Sequence, residues 1–308
     1  MNRRGFLLGA AALTACSQNK VNPKPVAGHV KRMAITMDDF NLGFDIGVSS
    51  ALRHRYILEA FDAVDHKAAG FVTGRSVDNP FGKQVVRDWI DQGHSIHNHT
   101  WTHSHANKME TETYLEDVKT HRNYLQGVVG AGRYFRFPFL DDGKNRDQQV
   151  SLFEGLDNLG LVNAPVTIDS VDWFTNSRLQ KALRDNPQTD LVPYRDYYLK
   201  MCLTLANYWD GVAQALGFKS LPHLTLMHHN VLNGLFLKDV LLALQADGWE
   251  FVEASEALSF ELYHVLPPEP TQGRNWLTLK QREAAIEIAP YPREYFKFGA
   301  TTMDKLGL

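Results

Sequence analysis

Cysteine is almost missing from this chain: Cys16 and Cys202 are the only two in 308 residues, so one disulfide is the most it could form. Runs of basic residues are missing too, and no basic face emerges that could neutralise phosphates, which argues against a nucleic-acid partner. No glycine-rich phosphate loop follows the first predicted strand, so a nucleotide-binding reading is weak. The apolar stretch near the N-terminus is roughly ten residues, where roughly twenty are needed to span a bilayer. What remains is a mixed-charge chain of formal net charge −3 with 44% apolar residues, enough for a sizeable core in one large domain or two small ones. Its one local excess is histidine: five of the 13 lie between His94 and His105.

From Lys31 onward, short apolar runs alternate with amphipathic stretches. Strands are predicted over Met33–Met37, Ala69–Thr73, His94–His97, Tyr134–Phe137, Leu161–Thr167, Leu224–His228 and Trp249–Val252. Helices are predicted over Ser50–His66, Gly82–Gln92, Glu110–Val129, Arg146–Leu159, Pro193–Leu216 and Leu235–Ala246, with a closing one begun by Ala254–Leu258. Gly93, Gly130, Gly160 and Gly217 stop four of them. Strands alternating with helices imply an α/β fold with a parallel sheet, and about seven such units imply a (β/α) barrel, complete or incomplete. A doubly wound open sheet is the alternative. The domain runs over residues 31–259. Residues 260–308, with Pro267, Pro268, Pro270 and scattered aromatics, read as an extension packed on it.

Five short segments carry chemistry-bearing residues. Thr36-Met37-Asp38-Asp39 puts two adjacent carboxylates at a strand end, which is costly unless something neutralises them. A metal on one would leave the other as a base; a solvated loop start is the ordinary reading. Asn98-His99-Thr100-Trp101-Thr102-His103 spaces two histidines by four, on one face of a helix or tight turn. Two histidines and one carboxylate form an open catalytic zinc set, with His94, His97 and His105 as neighbours that could be mistaken for ligands. Arg136-Phe137-Pro138-Phe139 offers a guanidinium able to pin a carboxylate. Asp169-Ser170-Val171-Asp172-Trp173 reads by itself as a loop with a capping aspartate, and Leu224-Thr225-Leu226-Met227-His228 as a strand ending in a structural histidine. Each segment falls at the predicted C-terminal end of a different strand, where α/β barrels build their sites.

In that order, T-M-D-D, N-H-T-W-T-H, R-F-P-F, D-S-V-D-W and L-T-L-M-H resemble the five motifs of the NodB-homology polysaccharide deacetylases, carbohydrate esterase family 4. The resemblance spans about residues 31–258. It implies a distorted (β/α) barrel and hydrolysis of acetyl groups, N-acetyl before O-acetyl, from an acetylated polysaccharide. It also implies one divalent ion, zinc by default, on Asp39, His99 and His103. Asp38 is then the general base, held by Arg136, and His228 the general acid, oriented by Asp172 with Asp169 as the fallback. Phe139 stands where the family usually has tyrosine, whose backbone N–H helps bind the oxyanion; Leu226 and Trp173 would line the acetyl pocket. Met37 replaces the usual phenylalanine, and His229 follows His228 where many relatives carry aspartate, which leaves His229, one place on, as the alternative acid. The loop through Gly43 and Gly47 is unlike the common forms. Two other readings stay open: a lipoprotein that grips glycans without turnover, and a related hydrolase of a small amide. A pure binder has no need of Asp38 beside Asp39.

The first residues explain Cys16. Arg3-Arg4 followed by Phe6-Leu7 resembles a twin-arginine export signal, and Leu13-Thr14-Ala15-Cys16 a bacterial lipobox. Residues 1–15 are then a signal peptide, Cys16 becomes the acylated N-terminus, and residues 16–30, with Pro23 and Pro25, form a tether. The expected location is the cell envelope or periplasm, with a lipid anchor in a membrane, and Cys202 is left without a partner. Cys16→Ala should move the protein from the membrane to the soluble fraction; unchanged fractionation would refute the anchor.

Overall fold

In the computed structural model, residues 28–43, 45–129, 132–286, 290–295 and 299–308 are described; the export signal, lipobox and most of the tether lie outside them. The elements are β1 Lys31–Ala34, β2 Thr36–Asp39, α1 Ser50–Asp62, β3 Ala69–Val72, α2 Gly74–Val77, α3 Pro80–Asp91 and β4 Ser95–Asn98. Then come α4 Thr111–Val129, β5 Tyr134–Phe135, α5 Arg146–Asn158, β6 Val162–Asn163, β7 Ile168–Asp169, α6 Asp172–Asp185 and α7 Val192–Ala215. Last are β8 Pro222–His228, α8 Val231–Ala246, β9 Trp249–Phe251, α9 Ala254–Ala257, α10 Trp276–Glu283 and α11 Gly299–Lys305. Among the described residues no helix is long and apolar enough to cross a membrane.

Every strand pair is parallel, in the order β6-β5-β4-β3-β2-β8-β1-β9, with β7 on β8. Parallel strands are covered on both faces and read as continuous apolar runs. β3, Ala-Gly-Phe-Val, is buried throughout, and β8 is buried up to its last residue. Polar side chains mark where helices start: Ser49 accepts from Leu52 N–H, Asn79 from Gly82, Asn145 from Gln148 and Asn230 from Asn233.

The sheet is that of a barrel left unclosed. The single strand expected over Leu161–Thr167 is interrupted at Pro165, which has no N–H for a ladder. Ala164 N–H still bonds Phe135 C=O on one side at 2.7 Å, and Thr167 N–H bonds Leu224 C=O on the other at 3.0 Å. Between them, the Val166 carbonyl is taken by Trp276 N–H at 2.8 Å. The C-terminal extension thus fills the seam, and Trp276, Leu277, Leu279, Tyr295 and Met303 are buried in the main core.

Three further expectations need correction. The first strand is two, β1 and β2, because Ile35 breaks the run and the halves pair with different stretches of β8. Asp172 starts a helix, not a loop; Asp172, Thr175, Leu179 and Leu183 are its buried face at helical spacing. The tether ends before residue 29, since His29 Nε2 meets Asp210 at 2.8 Å and Val30 N–H donates to Ser220 Oγ at 2.8 Å.

Several core histidines are folded into the barrel neutral. Burial lowers the pKa of His66 and His94 to about 4 and that of His97 to about 3. Above about pH 6.5 neither the folded nor the unfolded chain protonates them; below it the unfolded chain takes up protons first. Stability should therefore be full above pH 6.5 and fall progressively as pH drops towards 4. Urea midpoints at pH 7 and pH 5, both in chelator, check this; equal midpoints contradict it.

Candidate active site

The C-terminal ends of β2, β4, β5, β7 and β8 open on one cleft of about 530 Å³. Asp38, Asp39, His99, His103, Phe139, Trp173, Leu226 and His228 all line it. Parallel register does much of the work: Asp38 and His228 are direct neighbours on β2 and β8, and Asp39 pairs with Val72 of β3. Eleven non-glycine residues among those described have left-handed φ, and four of them line this cleft: Asp39, His103, Phe139 and Leu140. Such backbone is disfavoured by roughly 1–3 kcal/mol per residue and concentrates where a site demands it.

Asp38 is buried, and its Oδ1 accepts from Arg136 Nη1 at 2.7 Å. Arg136 is fully buried; Nη1 also reaches Thr36 Oγ1 at 2.5 Å, Nε donates to Ala164 C=O at 3.0 Å, and the guanidinium lies 4.0 Å over the Phe71 ring. The same residue's carbonyl accepts His99 Nδ1–H at 2.8 Å. That bond places the lone pair of His99 on Nε2, facing the carboxylates.

Asp39 Oδ1 lies 2.9 Å from His103 Nε2 and 3.3 Å from His99 Nε2, yet neither contact has hydrogen-bond geometry and the oxygen has no partner. Burial alone would raise the Asp39 pKa; the His103 and His99 rings, with His228 behind them, hold it well below the ordinary range. One atom from each of these three residues lies within 4.8 Å of the others, so the donor set fits a single divalent cation. A tight turn sets the spacing: Thr100 accepts His103 N–H at 2.9 Å, while Asp117 of α4 accepts Trp101 and Thr102 N–H at 3.0 and 3.2 Å. Gly74 makes room for Trp101, whose ring a Cβ there would meet at 2.2 Å.

His94 and His97 are not part of this set. His94 accepts Ala68 N–H at 2.9 Å between Phe61 and Trp89, and His97 packs on Phe71 and Tyr134. His105 stacks on Phe139 and meets Asp141 at 3.1 Å.

Across the cleft, Asp172 Oδ1 receives His228 Nδ1–H at 2.7 Å. Its other oxygen accepts His228 N–H at 2.9 Å, Asn230 Nδ2 at 2.7 Å and Asn233 Nδ2 at 2.8 Å. Burial would lower the His228 pKa, but the Asp172 carboxylate, with Asp39 and Asp38 beyond it, pushes it up to about 10. His229 also borders the cleft, but it is fully buried, its ring stacked on Phe40 at 4.9 Å, with Nε2 3.5 Å from His54 Nδ1. Asp169 also lines the cleft and accepts Val171 N–H at 2.8 Å; burial raises its pKa to about 6. Asn230 and Asn233 were not singled out from sequence. Asn230 carried one signal, as a helix N-cap directly after the strand.

A profile of the polysaccharide deacetylase family matches residues 27–154. A search of curated proteins gave no match. Among solved structures, a family 4 carbohydrate esterase pseudoenzyme from Bacillus anthracis is 17% identical over 74% of this chain and 66% of its own, with a TM-score of 0.53. A peptidoglycan deacetylase from Bacillus subtilis is 16% identical over 83% and 95%, with a TM-score of 0.50. The chitin deacetylase of the fungus Colletotrichum lindemuthianum is 16% identical over 76% and 91%, with a TM-score of 0.51. These structures share the fold, and the profile covers the first three of the five motifs.

The Asp172 network makes its own prediction. Asp172→Ala would leave four buried donors without an acceptor, so stability should fall by about 3 kcal/mol or more. A urea midpoint unchanged from the parent would show that water or another group takes over.

Proposed function

We propose that this chain, whose residues 27–154 carry the polysaccharide deacetylase pattern on the fold of carbohydrate esterase family 4, hydrolyses acetyl groups from a polysaccharide with the help of one divalent ion. N-acetyl groups are the favoured target, and zinc is the default metal. The observation that carries this is the juxtaposition of the convergent Asp39, His99 and His103 atoms with Asp38, whose Oδ2 lies 3.8 Å from His99 Nε2. A glycan-binding role would explain the ligands but not a second carboxylate held by a buried arginine.

Asp39, His99 and His103 hold the ion, which when bound supplies Lewis-acid polarisation and a lowered pKa for water. Asp38, oriented by Arg136, accepts the proton of the attacking water. The Phe139 N–H, outside the ladder of its turn, donates to the oxyanion that develops on the acetyl carbonyl. His228, charged and fixed through Nδ1 by Asp172, hands the Nε2 proton to the leaving nitrogen. Leu226 and Trp173 wall the acetyl group; the half-exposed Trp173 and Phe139 rings offer flat apolar faces to the sugars.

Two measurements separate the roles. Asp38→Asn should keep stoichiometric metal while acetate release from an N-acetylated glycan falls by about 10² to 10⁴. His228→Ala should also keep metal, and should hurt N-acetyl hydrolysis more than O-acetyl hydrolysis because amine departure depends more on protonation. His99→Ala with His103→Ala should abolish metal binding by elemental analysis. Metal that survives the double change, or an active Asp38→Asn protein, would sink the mechanism.

A further inference from the structure

One residue of the cleft wall comes from outside the barrel. Gly273 belongs to the C-terminal extension, yet it lines the cleft beside Phe139 and Leu140. Those two residues form the turn that offers the Phe139 N–H, and both are left-handed, at φ 57° and 50°. The turn's own bonds are few: Leu140 N–H to Phe137 C=O and Asp141 N–H to Pro138 C=O, each 3.1 Å. Two consecutive left-handed residues with side chains are disfavoured by backbone sterics, so something beyond the turn must hold them.

The extension supplies that hold. Leu140 C=O accepts both Gly273 N–H, at 3.0 Å, and the Thr271 hydroxyl. Thr271 N–H donates to Asp142 Oδ1 at 2.7 Å, while Asp142 Oδ2 accepts Gln149 Nε2 at 2.9 Å. Gln149 also donates to Glu269 C=O at 3.2 Å. The segment is stiffened from within, since Arg274 donates to the carbonyls of Thr271 at 2.9 Å and Pro270 at 2.8 Å. Its far end is fixed by Trp276 N–H on Val166 C=O. None of these residues is needed to fold the turn locally; all of them bear on where its backbone points.

We infer that residues 269–276 act as a strap that positions the oxyanion-binding turn, with Thr271 and Asp142 as positioning residues. The inference rests on the deacetylase reading for its effect on rate, though not for its effect on structure. A donor displaced by a fraction of an ångström weakens the transition state more than the bound substrate.

The test uses the zinc-loaded full chain. Thr271→Val removes the hydroxyl and keeps the bulk; it should lower kcat for acetate release by about 10-fold, with KM within about twofold, as expected for a misaimed oxyanion donor. Metal content and urea midpoint should stay near those of the parent, and Thr271→Ser should restore kcat. Asp142→Ala should lower kcat further. Hydrogen exchange at the amides of residues 139–141 should quicken in Thr271→Val, a readout that needs no activity. If the parent releases acetate and both variants match it within twofold, the strap is refuted and the deacetylase reading stands. If the parent is inactive on every acetylated glycan, the deacetylase reading falls, and unchanged exchange in Thr271→Val then overturns the strap as well. A kcat loss that merely follows lost metal or lost folding also overturns it.

Discussion

Two adjacent carboxylates at the end of one strand, Asp38 withdrawn from water and Asp39 half-buried beside it, set the terms for the rest of this molecule. Asp38 and Asp39 cannot be accommodated in a largely apolar barrel mouth without compensation. Arg136 answers Asp38 and accepts full burial itself, which in turn requires the Ala164 carbonyl, the Thr36 hydroxyl and the Phe71 ring around it. The convergent imidazoles answer Asp39. A further positive charge, on His228, is sustained by a carboxylate that is saturated with donors of its own. Arg136 joins two of these answers in one residue: its side chain holds the base and its carbonyl holds His99.

Much of this was legible in the chain. The alternation of apolar runs and amphipathic stretches places the strands within a few residues, because strands covered on both faces have to be apolar throughout. Acidic and imidazole side chains at successive strand ends point to one rim. Other parts were hidden for identifiable reasons. The helix from Asp172 has a plain 3.6-residue rhythm, but it begins inside a motif read as a loop and has no side-chain cap. The interruption at Pro165 needed the knowledge that two different strands compete for the flanking residues. Asn230, Asn233, Thr271 and Gly273 act through one or a few bonds to distant groups, and no periodicity encodes such a contact.

The choice between His228 and His229 shows how neighbours in sequence part company in a strand's last turn. The β8 strand carries His228 to the cleft, where Asp172 waits, and the next residue turns into the space beneath Phe40. Sequence alone offers two equivalent imidazoles; burial and partners make one a charged group and the other a neutral core residue, with a pKa pushed down by burial and by Arg53 and His54.

The seam at Pro165 bears on the order in which the protein can assemble. The bonds from Thr271 to Leu140 and Asp142 span 131 and 129 residues, and Trp276 also reaches back more than a hundred residues, to Val166. Contacts this distant along the chain carry a high loop-closure cost, and none of them can form before the chain has been made through residue 271. The turn that offers the Phe139 N–H is therefore completed by a segment made more than a hundred residues after it. Until that segment docks, the seam between β6 and β7 leaves the Val166 carbonyl unpaired, the kind of open edge that folding intermediates lose to aggregation.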